Sequence, residues 1–258
     1  LMHCGRVGHH DNKSDKARML APSAIAAQAE IFTADGMKAM PTPEPMSLAD
    51  IDAVVADYGR AAQRCLSAGF DGVELHCASG YLPGQFLASG SNQREDEYGG
   101  SLANRLRFIE RVIDVLANVI GVARVGLRIY PGNRYNDHID ATPEATYAGL
   151  LQLAERVGIA WVHAIRMPST GIDSLALTRA NYSGAVIGSD SYTASEAEES
   201  IGEGRVDAVS FGRLYIANPD LVDRFKRGGP FNEMDKRTIY GGEGSAGYTD
   251  YPPLSGDA

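Results

Sequence analysis

His76, Ser79 and Tyr81 stand within one short span, at the end of the β-rich run GFDGVELH (69–76) and just past it. An imidazole, a hydroxyl and a phenol can hold an oxygen by hydrogen bonds and exchange a proton with a bound molecule. The plainer alternative is a satisfied strand-end histidine and a packing tyrosine. Arg128 closes the apolar run ARVGLRI (123–129), where a charge is costly unless something answers it. A structural ion pair is the ordinary explanation there. Gly188-Ser189 and Gly212-Arg213 close two further runs, SGAVIGS (183–189) and GRVDAVSFG (204–212). Glycine lets a ligand approach the backbone closely, and a following helix start favours an anion. Plain strand-to-helix turns would carry the same residues.

Two other patterns carry less. His3, His9 and His10 fall within LMHCGRVGHH at the start of the chain, but adjacent histidines do not match the i, i+4 geometry of a helical zinc site. No metal is expected. GEGSAG (242–247) has the form of a dinucleotide fingerprint, yet YTDYPPLSGDA after it is too short for the βαβ unit the fingerprint needs.

The elements that must position these residues follow one rhythm. GFDGVELH, GIAWVHAI (158–165) and GRVDAVSFG each follow an amphipathic, charge-bearing run, begin with glycine and move into a short β-rich segment. Glycine suits the left-handed position past a helix, and Val, Ile, Phe and Trp suit a buried strand. ARVGLRI and SGAVIGS fit the same alternation, with helices expected at 48–68, 101–119, 143–157, 193–203 and 219–227. HHDNKSDKARMLAPSAI lacks periodicity and reads as a long, mobile loop. With the opening LMH taken as a strand end, six strands are expected in a parallel α/β sheet, closed or open. His3 and Arg6, His76 and Ser79, Arg128, His163 and Arg166, Ser189 and Arg213 then collect at strand ends. Reactive groups gather there in a (β/α)8 barrel and in an open doubly wound sheet alike.

Composition excludes some functions. The 258 residues are 44% hydrophobic and 22% charged, with a formal net charge of −9. That balance argues against sequence-independent nucleic-acid binding. The apolar runs are far short of a membrane span of ~20 residues. Cys4, Cys65 and Cys77 lack CxxC spacing, which is the pattern expected in a reducing cytoplasm.

The segment ELHCASGYLPGQFLASGSNQREDEYGGSLANRLRFIERVIDVL (74–116) closely resembles the region around the fourth strand of the old yellow enzyme family, FMN-dependent ene-reductases on a (β/α)8 TIM barrel. The resemblance extends through LMHCGRVGHH, VGLRIYP (125–131), VSFGRLYIANPDL (209–221) and GYTDYP (247–252), so it spans essentially the whole chain. It implies one incomplete flavin-binding TIM-barrel domain over 1–258, with strands three to eight present and the first two missing. It also implies reduction of the activated C=C bond of α,β-unsaturated carbonyl compounds, with NADPH or NADH as hydride donor. His76 and Ser79 would hold the carbonyl oxygen, and Tyr81 would protonate the α-carbon. Met2 and Tyr248 would join the substrate-binding set. Arg128 would face the pyrimidine edge of FMN, and Gly188, Ser189, Gly212 and Arg213 would meet its phosphate.

Two departures stand out. The family usually has Asn or His where Ser79 stands, and a serine hydroxyl is shorter with a single donor. An aromatic residue often stands where Met2 is, so a flexible thioether would give a softer pocket. Because a barrel removes its sheet edges only by closing, the expectation is a companion polypeptide supplying the missing strands, or a homo-oligomer. The competing function is a non-catalytic or repurposed barrel fragment that does not retain flavin.

Overall fold

The structure is a computed structural model that describes residues 1–14, 17–240 and 244–254. In chain order the elements are β1 (Leu20–Ala21), β2 (Glu30–Thr33), β3 (Gly36–Ala39), β4 (Glu44–Pro45), α1 (Leu48–Ser67), β5 (Val73–His76), α2 (Leu82–Leu87), α3 (Leu102–Ile120), β6 (Val125–Ile129), α4 (Pro143–Val157), β7 (Trp161–Ile165), α5 (Ser174–Asn181), β8 (Ala185–Ser189), α6 (Ala194–Gly202), β9 (Ala208–Ser210), α7 (Arg213–Ala217) and α8 (Leu221–Arg227). The five strands β5 to β9 form one parallel sheet in sequence order.

Local signals account for these boundaries. Ser47 and Asp50 close a capping box at the start of α1, and Thr193 and Glu196 do the same for α6. Gly158 ends α4 at φ +75° and Gly204 follows α6 at φ +70°, the left-handed positions expected from their place before a strand. The helices supply one side of the core. Ile109, Val112, Ile113 and Leu116 of α3 are fully buried, and Phe108 stacks on Phe86 of α2 with ring centroids 4.1 Å apart.

Alternation along the strands sorts the sheet into two faces. Val73, Leu75, Val125, Leu127, Ile129, Val162, Ala164 and Val186 enter the main hydrophobic core. The intervening residues (Glu74, His76, Gly126, Arg128, Trp161 and His163) occupy the other face. Register aligns them: His76 is opposite Arg128, Arg128 opposite His163, and His163 opposite Ile187. A chemically equipped row therefore runs across three strands.

Two expectations change. The opening LMH is not a regular strand, and among the described residues the parallel sheet has five strands rather than six. Leu1 instead lines the outer edge of β5, its carbonyl accepting from His76 N at 3.0 Å, while His3 O accepts from Leu82 N at 2.9 Å. The run read as a long, mobile loop is partly structured. Met19 is 1% exposed, and β1 pairs in parallel with β4. Two-residue pairings are too short to leave a periodic signal, and Asp15 and Lys16 within that run lie outside the described residues. The antiparallel hairpin β2–β3 and the helices α2, α5 and α7 were likewise not expected. Of GEGSAG, Gly242 and Glu243 also lie outside the described residues, and no helix among those described is long and apolar enough to cross a membrane.

Candidate active site

His76 is the last residue of β5, so its side chain emerges at the C-terminal end of the sheet. Its Nδ1 accepts from the backbone N–H of Ala78 at 3.3 Å. An accepting Nδ1 places the proton of a neutral ring on Nε2 and leaves that N–H as a donor. Burial, reinforced by the Arg128 cation, holds His76 down to about 4, so the ring is neutral at physiological pH. Tyr81, the residue before α2, meets His76 edge-on with ring centroids 5.0 Å apart. Burial raises its phenol above the ordinary value, so it keeps its proton. Ser79 lies between them at φ +58°, and its carbonyl accepts from Asn136 Nδ2 at 2.8 Å.

The loop carrying these residues is held by side chains within the protein. Gln85 is fully buried; its Nε2 donates to Cys4 O at 2.9 Å and to Gly80 O at 2.8 Å, while its Oε1 accepts from Arg6 N at 3.1 Å. Arg6, 2% exposed, reaches Asp137 O at 2.6 Å. Arg6 is thus a clasp between loops. Gln85 was missed in the sequence, where the only hint is one amide inside the apolar run LPGQFL.

Four of the five residues expected to meet FMN converge on a second feature. A cavity of about 400 Å³ is lined by Arg128, Ser189, Gly212 and Arg213, with Tyr130 and Ile165 on its apolar side. Arg128 is tied to a histidine and a serine: Nη1 lies 2.8 Å from both ring nitrogens of His163, and Nη2 donates to Ser189 Oγ at 3.3 Å. The expected alternative of a direct carboxylate pair is not what holds it. Arg213 has a side chain 75% exposed and pairs with Asp190 at 3.0 Å, so one carboxylate also faces this cavity. Gly212 is exposed at φ −99°, and an added Cβ would meet nothing within 4 Å. The protein's own packing thus gives no reason for glycine there, whereas close approach of a ligand does. Gly188 differs: it lies inside β8, is not among the residues lining the cavity, and an added Cβ would come within 2.6 Å of Tyr192 Oη.

Met2 is 55% exposed and sits between Leu1 and His3, whose backbones bond to the two ends of the β5–α2 connection. Tyr248 is 58% exposed and donates to Ile239 O at 3.1 Å within the C-terminal segment. Tyr135, 64% exposed, was not anticipated; it is close enough to Tyr81 for its phenol to help raise the Tyr81 value. Among the described residues, no three His, Cys, Asp or Glu side chains are grouped to hold a metal.

A parallel α/β sheet thus brings a histidine, a tyrosine and a part-buried arginine to its C-terminal end. Residues 1–232 match the family model described as NADH:flavin oxidoreductase / NADH oxidase, and the chain belongs to that family. It is 41% identical over 257 residues to a probable flavin mononucleotide-dependent alkene reductase of Leishmania infantum, covering 96% of this chain and 70% of that protein. It is 36% identical over 270 residues to 12-oxophytodienoate reductase 2 of Arabidopsis thaliana, covering all of this chain and 71% of that one. Among solved structures, morphinone reductase in complex with tetrahydroNAD superposes with a TM-score of 0.91 at 40% identity, over 98% of this chain and 71% of that chain. The old yellow enzyme homologue from Zymomonas mobilis superposes at 0.90 with 31% identity, over 97% and 72%. The chain is therefore a flavin oxidoreductase drawing on a nicotinamide.

Proposed function

We propose that the chain reduces the activated C=C bond of α,β-unsaturated carbonyl compounds with NAD(P)H, through FMN held at the cavity at the C-terminal ends of β6 to β9. The observation that carries this reading is the shared row of His76 and Arg128, opposite each other on neighbouring strands, with Tyr81 against the His76 ring. The residues present fit FMN. Arg128 offers a positive charge held beside His163 and Ser189, suited to an electron-rich ring edge, while Ser189, Gly212 and Arg213 offer a hydroxyl, an open backbone and a cation to a phosphate. Asp190 works against an anion there, and Arg213 is the group that offsets it.

FMN, when bound, would accept hydride from the nicotinamide and pass it to the β-carbon of the enone. The chain's own residues set the polarity of that transfer. The Nε2–H of His76 donates to the carbonyl oxygen and draws negative charge toward it, a stabilisation that grows as the enolate forms. The Ser79 hydroxyl is the shorter second donor. Tyr81 delivers its phenolic proton to the α-carbon. Met2 and Tyr248 are proposed to border the substrate, and Gly188 to support Ser189 from within β8.

The outer edge of β9 pairs with no strand among the described residues. We propose that strands outside them close the barrel, whether in the same polypeptide, a companion or a second copy. The decisive measurement is FMN uptake by purified protein, followed by stopped-flow reduction with NADH or NADPH and reoxidation by 2-cyclohexenone. A colourless protein that takes up no FMN, also with a polypeptide carrying the family's preceding strands, would overturn the reading in favour of a repurposed fold.

A further inference from the structure

The polar face beneath Arg128 contains a carboxylate that the proposed chemistry does not use. Glu74 lies two residues before His76 on the same face of β5. Its Oε1 accepts from Trp161 Nε1 at 2.7 Å and from His163 Nδ1 at 2.9 Å. A carboxylate only accepts, so His163 Nδ1 carries a proton. Burial alone would raise the Glu74 carboxyl, but the His163 and Trp161 hydrogen bonds and the Arg128 charge outweigh it and hold it below the ordinary range. The sequence makes room for this arrangement at Gly126: an added Cβ there would fall 2.2 Å from Trp161 Cε2, so any other residue would displace the indole that reaches Glu74.

His163 then orients the arginine. Its Nε2 lies 2.7 Å from Ser210 Oγ, so both edges of the ring are fixed in its own plane. Arg128 Nη1 is equidistant, at 2.8 Å, from the two ring nitrogens. In the ring plane such a position would collide with Cε1, so Nη1 lies against the imidazole from outside its plane. Ser189 Oγ takes its other arm. Rotating the imidazole would remove the surface on which the arginine rests.

We propose that Glu74 and His163 are positioning residues for Arg128: the carboxylate fixes the imidazole, and the imidazole and Ser189 aim the guanidinium into the cavity. This deepens the proposed function, but its first test does not need the cofactor. Arginine-detected NMR of the full chain should show restricted rotation of the Arg128 Nη groups, assigned by their loss in Arg128→Lys. Glu74→Gln and His163→Gln should each return them to the averaged signal of a free arginine, with far-UV circular dichroism unchanged. Averaged signals in the unmodified chain, or restricted signals surviving in a folded variant, overturn the assignment. If Glu74→Gln fails to fold, His163→Gln decides.

FMN titration followed by flavin fluorescence supplies the second readout. Glu74→Gln should weaken FMN about tenfold alone and less than about twofold on an Arg128→Gln background, the non-additivity of a group acting through another. Equal losses on both backgrounds overturn the proposal. Failure to take up FMN, also with a polypeptide carrying the family's preceding strands, would count against the proposed function, and the NMR comparison would still decide this inference.

Discussion

The two corners of the site are built differently. Around His76, Ser79 and Tyr81, Gln85 ties the backbone at Cys4 and Arg6 to that at Gly80, Asn136 pins Ser79, and the two rings touch. Around Gly212 and Arg213 the backbone is exposed, and the arginine side chain is open to solvent with one carboxylate partner. Arg128 lies between, charged like Arg213 but part-buried and fixed like His76. The contrast teaches where organisation precedes the ligand. The donors proposed to polarise a carbonyl lie in the corner that is set in advance, and pre-set donors are the effective kind. An exposed charge gains its worth only when a ligand covers it.

The sharpest way to break this comparison is at Tyr81. Tyr81→Phe is expected to slow the enone half-reaction by roughly 10²–10⁴-fold while leaving flavin reduction by nicotinamide largely intact. Stopped-flow measurement of the two half-reactions checks this, and equal losses in both would make Tyr81 structural.

The two arginines should separate next. Arg128→Gln is expected to weaken FMN about 10- to 100-fold, the loss of a charge-assisted hydrogen bond of ~1.5–3 kcal/mol. Arg213→Ala should cost less than about fivefold, with a loss that shrinks in high salt. A larger effect at Arg213 than at Arg128 would reverse the assignment of the fixed and open corners.

Ser79→Asn tests the fixed corner more gently. Lengthening the side chain and adding a second N–H should strengthen the long-wavelength band that phenols give with oxidised flavin, by about two- to tenfold in phenol affinity for one added hydrogen bond. An unchanged titration would mean that position 79 does not face the ligand.

The smallest effect is on pH dependence. His76 sits near 4 in the folded chain, against about 6.5 for an unperturbed histidine. The folded form therefore binds fewer protons between those values. The stability His76 contributes is complete above about 6.5 and is lost as pH falls toward 4. His138, fully enclosed and also held near 4, contributes with the same sign. Melting temperatures at pH 7 and pH 5 should therefore converge slightly in His76→Asn relative to the unmodified chain. Unchanged spacing would indicate an ordinary, solvated imidazole.

Much of this protein was determined by its sequence alone. The glycine-led β-rich segments and the charge-bearing runs between them define five parallel strands and the longer helices, because those signals are local: periodicity, capping and left-handed glycine positions act over a few residues. The row His76, Arg128 and His163 follows from strand alternation once the register is known. The family resemblance named the residues around it before any register was available. Only the tertiary structure decided what surrounds that row. Glu74 and Trp161 meet across β6 because Gly126 leaves space, Gln85 bridges segments distant along the chain, and Leu1 lies on the edge of β5 without forming a regular strand. These are contacts between side chains far apart in sequence, and no local pattern encodes them. The same physics separates Arg128 from Arg213: each ends or follows a β-rich run, and only three-dimensional packing part-buries one charge beside His163 and Ser189 and leaves the other open to solvent.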